Sequence, residues 1–405
     1  MKVFLLIVIA LFSSPVLIMA QSITISGKVE DRETHEKLGF ASVGIKGKPI
    51  GTISNLEGEF DFHFPMDYRN EIMVISMIGY SNIELPIWSL QTDSVQTFYM
   101  DNSSYLLKEV IVVDSLHGGD ILRKALSKIE TNYPKKPFLL DGFYRDIKKV
   151  GGTNISLLEA AVKIYDEDYT EPRNKFKLRE RVKLVEVRKS LGYENKFTGF
   201  FDQDNMLEDL LLHNSIRYRQ IDEQDELFST IKRLSNSVYN GHEIYVIKNV
   251  EPYSLILYID KSDFSILHLE YETGASEEVI NKKNNMVSRF SGLKKVIDFK
   301  SYNGVMYLNY MTVDSKVKWY DIKTNELKFE AELFQQLMIN QVESNNPKRI
   351  GAGEVMHAYS LQYQDLPYNK KFWDSYNVIK SSPLDDKVLH DLEKQLPLEK
   401  QFEEE

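Results

Sequence analysis

The chain reads as mainly β, an N-terminal seven-stranded β-sandwich followed by an α+β second domain built as a curved antiparallel sheet with packed helices. Three observations carry that reading. From Ile23 to Met100, short runs that alternate apolar and polar residues recur between turns, the period of half-buried strands. Between Glu243 and Asp321, strand-like runs are joined by short turns, and Asn303-Gly304 is the strongest hairpin signal of the sequence. Aromatic residues make up 12% of the chain, which biases it toward strand-rich architecture.

Residues 1–20 read as a leader. Lys2 supplies the positive end, residues 3–12 are apolar, and Ser13-Ser14-Pro15 break the run. Cleavage after Ala20 would leave Gln21 first. A bilayer span takes ~20 apolar residues, so the polar break argues against an uncleaved anchor. The chain has no cysteine, hence neither a disulfide nor a thiol to carry a lipid thioether. The expectation is an exported protein of the periplasm or the outer-membrane periphery, or a secreted one, with no membrane span after cleavage.

In the sandwich, Ile23, Ile25 and Val29 alternate with Thr24, Ser26 and Lys28, and residues 41–46 form a second strand. The turn Asn55-Leu56-Glu57-Gly58 between residues 51–54 and 59–64 reads as a hairpin. Phe60, Phe62 and Phe64 face one way, Glu59, Asp61 and His63 the other. Residues 72–78 are apolar on both faces, as in a central strand. Residues 82–87 and 95–100 complete seven strands. The expected core is Ile23, Ile25, Val43, Phe60, Phe62, Ile72, Val74 and Ile78.

The succession SGKV, GFASVGIKG, GTISNLEGEFDF and ISMIGY in this order resembles the carboxypeptidase-regulatory-like domain, a transthyretin-type sandwich common in Bacteroidetes envelope proteins. Phe40 departs from it, since small residues or Pro are commoner before Ala41. The resemblance implies a module that accompanies other domains and is not itself a peptidase. Residues 106–113 resemble the connector that follows such sandwiches in TonB-dependent transporters. Roughly 290 residues remain after it, too few for a plug and a 22-stranded barrel, so a plain strand and linker is the reading here.

Residues 120–132 read as a helix with Ile121, Leu122, Ala125, Leu126 and Ile129 on one stripe. The segments TNYPKKPFLLDGFYRD (131–146) and SLLEAAVKIYDEDY (156–169) resemble those of uncharacterised envelope proteins that pair this sandwich with a second domain. Residues 177–187 set Leu178, Val182 and Leu184 against Lys177, Arg179, Arg181 and Lys183, either a solvated strand face or one that binds an anionic ligand. Residues 205–212 and 226–234 read as short helices, and three strands follow between Glu243 and Glu272. Residues 326–340 read as a strand pair, with a helix as alternative. From Pro383 the tail reads as a charged amphipathic helix and then disorder. The expected divisions are therefore leader 1–20, sandwich 21–102, linker 103–119, second domain 120–380 and C-terminal helix and tail 381–405.

No catalytic constellation emerges. The zinc-ligand spacing His-x-x-Glu occurs at His390–Glu393, inside the terminal helix, and His242-Glu243 opens a strand where adjacent side chains diverge. Ser-x-x-Lys occurs at Ser229/Lys232, Ser291/Lys294 and Ser315/Lys318 without an accompanying Lys-Thr-Gly. There is no P-loop, no Gly-x-Ser-x-Gly and no Gly-x-Gly-x-x-Gly. Catalytic, cofactor-binding and metal residues are thus expected to be none, and cofactors none.

A net charge of −10 disfavours nucleic acid and anionic membrane surfaces as partners. The leading expectation is a non-enzymatic cell-envelope protein whose sandwich is an interaction or accessory module for the second domain. One alternative is a carrier of an apolar or glycan ligand, because LILYID, ILHLEY and MYLNYM loosely resemble the strands of lipoprotein-carrier half-barrels. The other is an unrecognised hydrolase.

Overall fold

The computed structural model describes residues 22–103, 116–194, 197–201, 206–221, 226–356, 361–364, 366–380, 383–394 and 396–403. The leader expected at 1–20, the connector at 106–113 and His357 lie outside the described residues. The fold is the expected one: a seven-stranded sandwich, then a large curved antiparallel sheet with helices packed on it.

The sandwich consists of β1 (Ser22–Asp31), β2 (Ser42–Ile45), β3 (Gly51–Ile53), β4 (Glu59–Pro65), β5 (Ile72–Ser76), β6 (Ile83–Pro86) and β7 (Gln96–Met100). One sheet has the order β4-β1-β7, the other β3-β2-β5-β6. Alternate side chains of β1 and β4 enter the core, including Ile25, Phe60, Phe62 and Phe64.

Two readings of this region need correction. The turn at Asn55–Gly58 does not close a hairpin, because β3 pairs with β2 and β4 pairs with β1. The Asn55 side chain accepts the N–H groups of Glu57 and Glu59 at 2.9 and 2.8 Å, and the Val29 N–H reaches the Gly58 carbonyl at 2.8 Å. The turn therefore folds onto β1 and passes the chain between sheets. A Cβ at Gly58 (φ +75°) would sit 2.3 Å from the Val29 oxygen, so only glycine fits there. The second correction is the face of β5. Met73 and Ile75 enter the core, whereas Ile72 and Val74 are half-buried outside it and Ile78 packs on the second domain's core. An all-apolar strand carries no facial signal. Its pairing with β2 decides, setting Ile75 opposite Val43 and Met73 opposite Ile45.

The second part begins with α1 (Gly118–Ser127) and α2 (Ile129–Asn132), which bury the expected stripe. A twelve-stranded sheet follows. Its strands are β8 (Phe138–Val150), β9 (Thr153–Asp166), β10 (Arg181–Lys189), β11 (Lys232–Arg233), β12 (Ser237–Tyr239), β13 (His242–Asn249), β14 (Ser254–Asp260), β15 (Ile266–Thr273), β16 (Val279–Lys283), β17 (Met286–Tyr302), β18 (Val305–Asp321) and β19 (Leu327–Glu343). The main order is β10-β9-β8-β19-β18-β17-β15-β14-β13-β11, with β12 on β13 and β16 on β17. Asn303 and Gly304 take φ of 52° and 77°, the left-handed pair a two-residue hairpin demands.

Of the expected helices, α3 (Met206–Leu212) forms, but residues 226–234 give only one turn, α4 (Leu227–Thr230), before β11 joins the exposed edge of β13. Residues 326–340 lie in the single strand β19 and not in a strand pair. Its backbone is bonded to β18 on one side and β8 on the other, which overrides the helix propensity of its Leu and Glu. The C-terminal end is ordered further than expected. After α5 (Lys370–Trp373) and α6 (Pro383–Leu392), α7 (Leu398–Glu403) buries Leu398 and Phe402 against Leu157 of β9.

The two faces of the sheet are covered differently. On one, Ile121 and Leu122 of α1 and Leu207 and Leu210 of α3 join Leu158, Leu257, Ile297 and Leu337 in one core. On the other, Ile53 of the sandwich packs with Phe143, Tyr310, Met338, Trp373 and Ile379. Polar contacts fix that docking. The Val342 N–H donates to the Pro49 carbonyl (2.9 Å), and His63 and Asn377 exchange hydrogen bonds (2.7 and 2.9 Å). Lys300 Nζ donates to Ser42 Oγ at 2.9 Å. Phe40, the residue that departs from the sandwich pattern, stacks on Tyr310 with centroids 5.3 Å apart.

Candidate functional site

The site grows out of the connection between β9 and β10, at the outer edge of the sheet. Asp166 ends β9 and points to the helix-covered face, where Arg217 arrives from the loop after α3. Arg217, fully buried, donates to Asp166 through Nε (2.6 Å) and Nη2 (3.1 Å), and through Nη1 to the Thr170 carbonyl (3.0 Å). Glu180 lies on its other side, with Oε1 4.0 Å from Nε, and accepts the Tyr218 hydroxyl. Arg179 clamps Thr170 through its carbonyl and hydroxyl, both at 3.1 Å. Above this floor opens a cavity of about 480 Å³ walled by Arg173, Asn174, Lys177 and Arg179.

Two carboxylates share one guanidinium here, so a charge is left over. Burial raises the Asp166 carboxyl against the pull of Arg217, and burial together with the Asp166 charge pushes Glu180 up to about 7. A carboxyl raised on folding stabilises the native state below its unfolded pKa, and that stability is lost as pH rises through the folded value. Glu180→Gln keeps an acceptor for Tyr218 and removes the ionisation. The variant is expected to be more stable than the parent by about 3 kcal/mol at pH 8 and nearly equal to it at pH 4.5. Urea midpoints at the two pH values check this; a gain independent of pH would contradict it.

The residues weighed from the sequence are placed as follows. Ser315 and Lys318, three apart on β18, face opposite sides, and Ser291, at a bulge of β17, donates to Glu330 at 3.3 Å. Ser229 bonds the Glu226 carbonyl, while Lys232 leaves on β11. Glu393 accepts the Leu398 N–H beside an exposed His390, and Glu243 pairs with Lys261 at 2.8 Å. Among the described residues no three His, Asp or Glu are placed to hold a metal ion. The cationic run is largely neutralised: Arg181 donates to the Ile350 carbonyl, Lys183 pairs with Glu354 and Arg179 with Asp168.

Three charged centres arise from residues that the sequence reading did not connect. Glu159 is clasped by Arg145 and Arg188 on the sandwich-covered face. His268 sits 3.2 Å from Asp298 and 3.5 Å from Glu270; burial opposes its charge, but both carboxylates outweigh it and push it up to about 9. Lys295 donates to Ser215 Oγ at 2.6 Å, and burial pushes the amine down to about 8. The Lys295 ammonium also approaches the His213 carbonyl and Gln220 Oε1, each at 3.5 Å, so it ties the loop after α3 to β17.

The fold and the cleft define a two-part, strand-rich protein in which a small sandwich is docked on a large curved sheet. Residues 25–112 match the family model of the CarboxypepD_reg-like domain, and the sandwich is a domain of that family. No curated protein matches the chain. Similar solved structures include MucB in complex with MucA(peri), at 9% identity over 57% of this chain and 100% of that one, TM-score 0.17. Another is a protein of Bacteroides fragilis NCTC 9343 described as membrane-associated and of unknown function. It is 10% identical over 80% of this chain and 99% of that one, TM-score 0.16. MucB alone gives 9% identity over 54% and 92%, TM-score 0.19. Likenesses at these scores carry no argument about this chain. No described helix is long and apolar enough to cross a membrane.

Proposed function

We propose that this is an exported, non-enzymatic binding protein of the cell envelope, with the CarboxypepD_reg-like sandwich as an accessory brace and the β9–β10 cleft as the binding site. The observation that carries the reading is how the sheet is covered. Helices fill one face and the sandwich with the C-terminal segment packs on the other, while the cleft at the edge opens to solvent over a braced polar floor. Its charged groups are bound to each other, Arg217 to Asp166 and Arg179 to Asp168, in a way that fixes a surface. The signal-like start at Lys2–Ala20 supports export, and the absence of cysteine fits attachment by contacts and not by a lipid.

A photo-crosslinking residue at Asn174, in the cleft wall, is expected to yield adducts in envelope preparations that the same residue at Asp93, an exposed sandwich position outside the cleft lining, does not. Equal yields from both positions would remove the cleft from consideration. Mass spectrometry of the exported protein should find Gln21 at or near the N-terminus; retention of Met1 or Lys2 would overturn the export reading.

The closed packing of Ile121, Leu122, Leu207 and Leu210 against the sheet favours a filled core over an open cradle for an apolar ligand. The folded protein is therefore expected to leave a hydrophobic dye such as ANS without enhanced fluorescence at neutral pH. Stoichiometric dye uptake without loss of near-ultraviolet circular dichroism would restore the carrier alternative.

A further inference from the structure

The loop that walls the cleft has a composition unlike the rest of this acidic chain. Between Thr170 and Lys183 six Lys or Arg stand against two Glu, in a protein of net charge −10. Four of the six are engaged: Arg179, Arg181 and Lys183 as described, and Lys175 through the Arg219 carbonyl (2.8 Å) and Glu171 (3.4 Å). Arg173 and Lys177 have no hydrogen-bond or ion-pair partner among the described residues, and both line the cavity. Between Lys175 and Lys177 stands Phe176, at 86% the most exposed large apolar side chain described.

An isolated exposed apolar residue is ordinary. This one differs because the loop beneath it is pinned. Arg217 and Arg179 both hold the Thr170 carbonyl, and Lys175 is tied to the Arg219 carbonyl. The ring is thus held outward between Lys175 and Lys177, next to a cavity that Arg173 and Lys177 line and whose one carboxylate, Glu171, is paired with Lys175. That combination fits an anionic lipid surface: a phosphate has charge for Arg173 and Lys177, and the interface has apolar depth for a phenyl ring. The overall negative charge does not forbid it, since charges more than a Debye length away, ~8 Å at physiological salt, are largely screened.

Resting on the cleft as the binding site, we propose that the loop 170–179 docks the protein peripherally on an anionic phospholipid surface, with Arg173 and Lys177 on the headgroup phosphate and Phe176 in the interface. Two basic side chains and one ring make a weak, reversible and salt-sensitive attachment.

The test is cosedimentation of the whole protein with vesicles of phosphatidylcholine mixed with phosphatidylglycerol, and with vesicles of phosphatidylcholine alone. Binding is expected only to the anionic vesicles and to disappear at high salt. Arg173→Glu/Lys177→Glu should weaken it at least about tenfold, and Phe176→Ser several-fold, with melting temperatures unchanged because all three side chains are outside the core. Equal binding to both vesicle types, no binding to either, or undiminished binding by the variants overturns the proposal. A further arm adds inorganic phosphate at matched ionic strength. If phosphate alone abolishes vesicle binding and Phe176→Ser does not weaken it, the cleft is a site for a free anion and the membrane proposal fails. Failure here with adducts still formed at Asn174 would leave the binding reading standing; loss of both would end it.

Discussion

Glu159→Ala is expected to destabilise the sheet by about 3–5 kcal/mol, because it leaves two largely buried guanidinium groups without a counter-ion. The Glu159 side chain is 4% exposed. Its Oε1 accepts from Arg145 Nε at 2.7 Å and its Oε2 from Arg188 Nε at 2.6 Å. Arg145 also donates to the Ile379 carbonyl at 2.8 Å, and the Arg188 guanidinium lies 4.3 Å from the Trp373 ring. One carboxylate thereby joins β8, β9 and β10 to the C-terminal segment. Burial alone would raise the Glu159 pKa, but Arg188 and Arg145 outweigh it and hold the carboxyl below the ordinary range. A carboxyl depressed in this way gives stability above its unfolded pKa that is lost as pH falls through the folded value. The penalty of Glu159→Ala should therefore shrink in acid. Replacing all three partners by Met and Leu should recover most of the loss, since buried ion triads are seldom more stable than apolar packing of similar volume. Urea unfolding at neutral and acid pH measures both effects; a cost under ~1 kcal/mol at neutral pH would mean that the two arginines find other partners.

The strands were legible where alternation and turn chemistry spoke together. Asn303-Gly304 announced the β17–β18 hairpin, and the three phenylalanines of β4 announced a core face. Legibility failed where local pattern is silent and tertiary pairing decides. β5 is apolar throughout, so the choice of Met73 and Ile75 over Ile72 and Val74 rests on its register with β2. The Asn55–Gly58 turn looks the same in sequence whether it closes a hairpin or crosses between sheets. β19 is rich in Leu and Glu, and only its two neighbours make it a strand.

The cleft was half visible. The cations of residues 177–183 were recognised as a face, but Arg217 lies 51 residues from Asp166 and no spacing rule connects them. Ser215 and Lys295 are likewise 80 residues apart, while the three Ser-x-x-Lys motifs in the sequence are unrelated to them. A signal did exist for the Glu159 centre. In SLLEAAVKI a single acid stands among mostly apolar residues, and such a charge, once buried, calls for a partner from a neighbouring strand. Arg145 and Arg188 each stand in such a strand as well.

The sandwich gives the last expectation, a contrast between adjacent residues. Phe62 is fully buried, lies opposite Ile25 of β1 and meets the Phe64 ring at 4.8 Å between centroids. The surroundings have little room to collapse: a Cβ added at Gly27, opposite Phe60 on the same strand pair, would come within 2.5 Å of the Phe98 ring. Phe62→Ala should therefore combine the lost transfer energy with an unrelaxed cavity and cost about 3–5 kcal/mol. Asp61, on the opposite face, bonds Ser26 at 2.6 Å and pairs with Lys380 at 3.2 Å at the border of the docked sheet. Both Asp61 and Lys380 are 30% exposed in that pair, so Asp61→Ala should cost no more than ~1 kcal/mol after solvent screening. Denaturant melts of the two variants side by side test the alternation on which the sandwich rests. Reversed costs would mean that β4 is shifted by one residue, which would turn every ring of the strand out of the core.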